Sequence, residues 1–202
     1  MQKIEPFTYG NFYHVYNRGI NGCNIFRENE NYAYFLKLYH QHASSIADTY
    51  AWVLMPNHFH FLVRVKEEAE IESANPDRVQ NSVRVGTPSQ QMSKIFNAYA
   101  QAFNKRFQRH GGLFERPFQR KRVQTIAYLR ELVLYIHNNP IHHGFCDHIL
   151  DYPWSSYLTM VCVKPTRLNR NDVIGWFDDQ ANFKYMHDQK VEIEKIENWL
   201  EL

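Results

Sequence analysis

Apolar positions change period several times along this chain, and each change marks an element. Residues 7–18 alternate, with Phe12, His14 and Tyr16 on one side and Tyr13, Val15 and Asn17 on the other, until Gly19 ends a predicted strand. Over residues 28–46 the positions Tyr32, Phe35, Leu36, Tyr39 and Ala43 recur at three and four, the spacing of an amphipathic helix. Residues 50–55 and 58–65 are apolar and partly β-branched, broken by Pro56-Asn57. That pair suits a turn or a bulge, so a hairpin and a single kinked strand both fit. Residues 67–88 are polar and aperiodic, which predicts a long, mobile connection. Ser89 is then expected to cap a helix over residues 90–109 that buries Met92, Ile95, Phe96, Tyr99 and Phe103, with Gly111-Gly112 as its stop. Residues 117–124 read as a short basic strand. Thr125 is expected to cap a last helix with Ile126, Leu129, Val133 and Ile136 as its core stripe, closed by Pro140 after Asn139.

This order predicts an α+β fold: a ferredoxin-like or RRM-like antiparallel sheet with helices packed on one face. Residues 1–157 read as one domain carrying the polar connection at 67–88, and residues 158–202 as a C-terminal extension. Its tail, residues 178–202, holds seven acids and three bases and looks helical near its end; docking, dimerising and hanging free are all open. The 202 residues suffice for a substantial core, and 44% hydrophobic content is that of a globular chain. No apolar stretch approaches the roughly 20 residues of a membrane span, and the first residues lack the apolar core of a secretory signal. Three widely spaced cysteines, Cys23, Cys146 and Cys162, fit no zinc pattern and read as reduced thiols in a cytoplasmic protein.

A net charge of +2 conceals an asymmetry. Eight of the 23 Lys/Arg (Lys94, Lys105, Arg106, Arg109, Arg116, Arg120, Lys121 and Arg122) lie in one stretch with a single one of the 21 acids, Glu115. That leaves 15 basic against 20 acidic residues elsewhere. Such a concentration suits a phosphate backbone, although a solvated helix face is the commoner fate of charge clusters. Phe96, Tyr99, Phe103, Phe107 and Phe114 lie among these charges, and aromatics between cations can hold single-stranded nucleic acid. At helical spacing most of them are expected in the core.

The chemistry-bearing residues come in two pairs. On a strand over residues 58–65, His58 and His60 project from one face and Phe59, Phe61 and Val63 from the other; paired imidazoles are half of a divalent-metal site. Far downstream, Tyr135 and Asn139 are four apart, hence neighbours on one flank of a helix. Each pair alone is more often structural: one tyrosine among 13 is usually a core-edge aromatic, and a His-x-His pair is usually filler.

Together they resemble a known family. Met55-Pro56-Asn57-His58-Phe59-His60-Phe61-Leu62-Val63 is similar to the metal-binding strand of the single-tyrosine HUH transposases. Leu132-Val133-Leu134-Tyr135-Ile136-His137-Asn138-Asn139-Pro140, followed by His143-Gly144, resembles their catalytic helix. Closest is the REP-associated, insertion-sequence-like branch, whose later motif stands here as Tyr152-Pro153-Trp154-Ser155-Ser156-Tyr157. Gly112-Leu113-Phe114 and Arg116-Pro117-Phe118 also fit that branch, so the likeness runs from about Phe12 to Tyr157.

The resemblance implies metal ligation by His58, His60 and Asn139, with Tyr135 as nucleophile on single-stranded, hairpin-bearing DNA. It implies a divalent cation, Mg²⁺ or Mn²⁺, and a 5′-phosphotyrosine intermediate. It places the eight basic residues on the DNA and the protein in the cytoplasm with the nucleoid, away from membranes. Relatives include monomers and homodimers, so whether the tyrosine acts in cis or in trans is open. Two rivals remain: a domesticated hairpin DNA- or RNA-binding protein with a vestigial metal site, and a metal hydrolase of small phosphoesters that has no use for Tyr135.

Overall fold

The structure, a computed structural model, describes residues 5–73, 86–189 and 193–200. Its nucleus is a βαββαβ unit: β1 (Phe12–Arg18), α1 (Asn29–Ala43), β2 (Ala47–Met55), β3 (His58–Val65), α3 (Pro88–Arg106) and β4 (Gln119–Val123), with a short α2 (Glu68–Ser73) after β3. Among the described residues the strands form one antiparallel sheet in the order β2-β3-β1-β4. This is the ferredoxin-like arrangement expected from the element order.

Pro56-Asn57 makes a hairpin. The Pro56 carbonyl accepts from the amides of Ile25 and Phe26 at 2.7 and 2.9 Å, which ties the turn to the lead-in of α1. The polar connection at 67–88 contains α2; its residues 74–85 lie outside the described residues, so its expected mobility has no structural counterpart here. The cap of α3 is Thr87 and not Ser89. Gln90 Oε1 accepts from the Thr87 amide at 2.9 Å and Thr87 Oγ1 from the Gln90 amide at 3.3 Å, a capping box that leaves Ser89 inside the helix. The helix also stops short of Gly111-Gly112, at Arg106, because the chain turns at Phe107 and Gln108 takes a positive φ.

α1 and α3 pack on one face of the sheet, as expected, over Tyr13, Val15, Phe59, Phe61, Val63 and Val65. The other face is covered as well. There α4 (Ile126–His142) lies over Val53, Met55 and Leu62, joined by α5 (Tyr157–Val161), α6 (Arg170–Trp176), α7 (Gln180–His187) and α8 (Ile193–Leu200). Helices on one face thus describes the βαββαβ unit and not the whole chain. β3 is buried on both sides of its pleat, through Phe59, Phe61 and Val63 on one and His60 and Leu62 on the other, and a strand buried on both faces needs a second layer.

Thr125 caps α4 as expected, accepting from the Tyr128 amide at 3.2 Å. Two expectations for this helix fail. Ile126 is 60% exposed, being in the first turn, where the stripe has not yet reached the sheet. Pro140 does not close the helix, which runs to His142 and turns out at Gly144 (φ +69°). The tail docks: Lys195 pairs with Glu131 at 2.8 Å, Trp199 stacks on Tyr128, and Ile196 is buried.

Candidate active site

The pleat of β3 sends Phe59, Phe61 and Val63 into the α1/α3 core and His58 and His60 towards α4. Antiparallel register sets Arg18 opposite His58 and Tyr16 opposite His60, so His14 and Tyr16 of β1 share that face. α4 crosses above with Tyr135 pointing down. The ring centroids of His60 and Tyr135 are 5.3 Å apart at 84°, those of His58 and His60 5.2 Å apart at 90°. Asn139, one turn beyond Tyr135, is fully buried beside His58. The sheet and α4 thus bring together the four residues expected to converge. His58, His60 and Tyr135 border a cleft of about 480 Å³ whose walls also include Asn57, His143 and Glu197, and Asn139 is buried behind them.

The imidazoles are neutral. Burial pushes His58 down to about 4, helped by the neighbouring His143 and opposed by Asn139. Burial also holds His60 well below the usual range, reinforced by His14, and brings His14 down to about 3. Tyr135, 1% exposed, is raised above an ordinary phenol chiefly by burial; Asn139 opposes this, while Glu197 and Tyr16 add to it. At neutral pH the site therefore holds protonated phenol and bare imidazole nitrogens.

The tautomers follow from the partners. His58 Nδ1 lies 2.6 Å from Asn57 Oδ1, and since an amide oxygen only accepts, Nδ1 carries the proton and Nε2 is a lone pair. His60 Nδ1 is 2.9 Å from His14 Nε2. The unpartnered buried atoms are informative: His60 Nε2, His14 Nδ1 and both Asn139 side-chain atoms complete no hydrogen bond. The Asn139 amide lies close enough to His58 and Tyr135 to influence both, yet makes an ordinary bond to neither. His60 Nε2 and the Asn139 carboxamide oxygen, buried and unsatisfied, together with the His58 Nε2 lone pair, fit a divalent cation. Among the described residues no three His, Cys, Asp or Glu side chains gather as a metal group. A third protein donor would have to be the Asn139 amide.

His14, Asn57, His143 and Glu197 escape sequence reasoning. Asn57 and His143 alone had local signals, their places in the two motifs. His14 and Tyr16 alternate correctly along β1, but only the register of β1 on β3 aims them at His60. His143 stands 4.9 Å from His58, and Glu197 arrives on the docked tail.

The eight basic residues do not share one surface. Register places Lys121 opposite His14 and Arg120 opposite Val15, so neighbours on β4 face opposite sides of the sheet. Arg106 pairs with Glu28 at 2.7 Å, Arg120 lies over the Phe7 and Phe118 rings, and Lys121 bonds the Trp199 carbonyl. Arg122 Nε is buried without a partner, and Arg109 bonds Asn104 at 3.2 Å. Lys94, Lys105 and Arg116 are exposed.

A ferredoxin-like sheet with paired histidines on its central hairpin, faced by a helix tyrosine, is the arrangement that the sequence resemblance implies. Comparisons with known proteins point the same way. A solved structure of a REP-associated tyrosine transposase bound to a REP hairpin matches 80% of this chain and 86% of its own, with a TM-score of 0.59 and 16% identity. The fold is that of this transposase. A Haemophilus influenzae protein whose name provisionally marks it as a REP-associated tyrosine transposase is 27% identical over 112 residues, 54% of this chain. The match spans 58% of that relative's length. No protein-family model matches the chain. Both relatives are of the group that the sequence motifs resemble.

Proposed function

We propose that this protein is a metal-dependent, single-tyrosine DNA transposase that nicks and rejoins single-stranded, hairpin-bearing DNA. What supports this most is the gathering of His58, His60 and Tyr135 on one cleft with Asn139 beside His58, His60 Nε2 and the Asn139 amide being left bare. The substrate class follows the relatives, one of which is solved on a REP hairpin. No helix among the described residues is long and apolar enough to cross a membrane, and a DNA substrate puts the work in the cytoplasm, at the nucleoid.

The Tyr135 hydroxyl attacks a backbone phosphorus, a new P–O bond forms, and the bond to the 3′ oxygen breaks. The products are a 5′-phosphotyrosine and a 3′-hydroxyl, which takes up a proton as the phenol loses one. Attack by another 3′-hydroxyl on that ester reverses the exchange and joins a new end without ATP. A divalent cation, Mg²⁺ or Mn²⁺, held by His58, His60 and Asn139, would supply positive charge against the crowded phosphate oxygens. Burial keeps Tyr135 protonated and weakly nucleophilic until substrate arrives. Asn57 holds the His58 ring in its ligating tautomer. One chain supplies all four groups, which supports a monomer acting in cis.

The test is a denaturing gel after incubation with labelled hairpin oligonucleotide and Mn²⁺. Wild type should give protein-linked DNA that EDTA abolishes, and Tyr135→Phe should give none while still binding the hairpin. An adduct surviving in Tyr135→Phe, or cleavage indifferent to EDTA, defeats the assignment. The vestigial-site reading predicts binding without an adduct in wild type.

A further inference from the structure

A second groove, of about 550 Å³, runs between α3 and the segment from Gly111 to Phe118, on the opposite side of the sheet from Tyr135. Asn17 and Glu115 border both this groove and the catalytic cleft, so the two meet where β1 runs out. Phe96, Phe114 and Phe118 line it, and it is of small-molecule size, roughly 300–1,000 Å³. That is room for a few bases and not for a duplex. Along its α3 wall the side chains at helical spacing are short and neutral: Ser93, Asn97, Gln101 and Asn104. Asn104 is committed to the Gly111 carbonyl at 2.9 Å. Asn97 and Gln101 are exposed, and their side chains make no hydrogen bond among the described residues. The rim carries Arg116 and Arg120, and the one acid, Glu115, is paired with Arg18 at 3.4 Å.

We infer that this groove is a base-reading subsite for the unpaired DNA flanking the cleaved phosphate, with Asn97 and Gln101 as its selecting residues. The inference rests on the transposase reading, and the chemistry is specific to bases. Phosphates call for cations, whereas a free carboxamide offers one donor and one acceptor side by side, the complement of a base edge. The buried aromatic rings next to it give an apolar floor against which a base can pack. Continuity with the cleft puts that base a short distance along the strand from the reacting phosphate. Arg116 at the rim would hold the backbone between them.

The test is selection by binding, without cleavage, from hairpin oligonucleotides whose single-stranded flanks are randomised. Wild type should enrich particular bases at a few flank positions. The double variant Asn97→Ala, Gln101→Ala should flatten that preference by roughly tenfold or more. Its salt dependence should match wild type, because no phosphate contact is lost. Arg116→Ala should instead weaken all sequences alike and shallow the salt slope. Both alanines sit at exposed helix positions and favour helix, so the double variant should fold. A flank preference unchanged in the double variant, or absent in wild type, overturns the subsite even if the Tyr135 adduct forms. Loss of the adduct reaction in wild type overturns the transposase reading instead and leaves the selection interpretable.

Discussion

His60 can present a bare Nε2 only if its proton sits on Nδ1, and the atom placed to accept from that nitrogen is His14 Nε2, 2.9 Å away. His14 is fully buried, stacks on His60 at 5.0 Å, and has its own Nδ1 unpartnered. In the proposed site it would fix a ligand without touching the cation. We expect His14→Phe, which keeps an aromatic ring but no acceptor, to weaken Mn²⁺ binding by about 10–100-fold. Calorimetric titration in the absence of DNA measures this; equal affinity in the variant removes His14 from the site. His58, His60, Tyr135 and Asn139 were legible because each carries a local signal, alternation on a strand or four-residue spacing on a helix. His14 and Glu197 were not, since their places depend on register and on a docked tail, which no local pattern encodes.

Among the elements, the segment Tyr152–Tyr157 shows what its motif does. Leu54 N donates to the Trp154 carbonyl, Ser156 N to the Trp52 carbonyl, and Trp52 N to Ser156 Oγ, all at 2.9 Å, so the segment binds along β2. Trp154 stacks on Tyr32 at 4.6 Å and makes a packing corner there. A proton wire with one allowed direction continues from Ser156. His187 Nδ1 donates to the Phe183 carbonyl, so His187 Nε2 accepts from His137 Nδ1, and His137 Nε2 accepts from the Ser156 hydroxyl. This joins β2, α4 and α7 through buried groups. Ser156→Ala strands both the Trp52 amide and His137 Nε2, and we expect it to cost about 1–3 kcal/mol in chemical denaturation. A loss below a few tenths of a kcal/mol would mean that the wire carries no stability. Element types were readable from periodicity. The errors fell at ends, where a capping box outranked a lone serine and tertiary packing carried α4 past Pro140.

For the molecule as a whole, the second helical layer is the largest departure from the sequence reading. It arises because the second face of the sheet also carries apolar side chains, Val53, Met55 and Leu62 among them, which the histidines alternating along β3 disguised. One result is a store of neutral buried histidines. Unfolded imidazoles take up a proton near pH 6.5. His187 does so only at about 4 and His14 at about 3, with His60 and His137 also well below normal. Between those limits the unfolded chain binds more protons, so stability is complete above pH 6.5 and falls as pH drops. Each histidine contributes a slope of up to about 1.4 kcal/mol per pH unit. Thermal midpoints in EDTA should therefore decline steeply from pH 6.5 towards pH 4. A flat profile there would contradict the burial of these rings.

Tyr135 stands on the same helix that covers Val53, Met55 and Leu62. A ribosome that has finished the four strands has made both imidazoles but neither Tyr135 nor the lid over those apolar side chains. A chain stopped at that stage would be sticky, and it would lack the residue that the proposed cleavage needs. On that proposal, covering the second face and supplying the attacking hydroxyl are a single event.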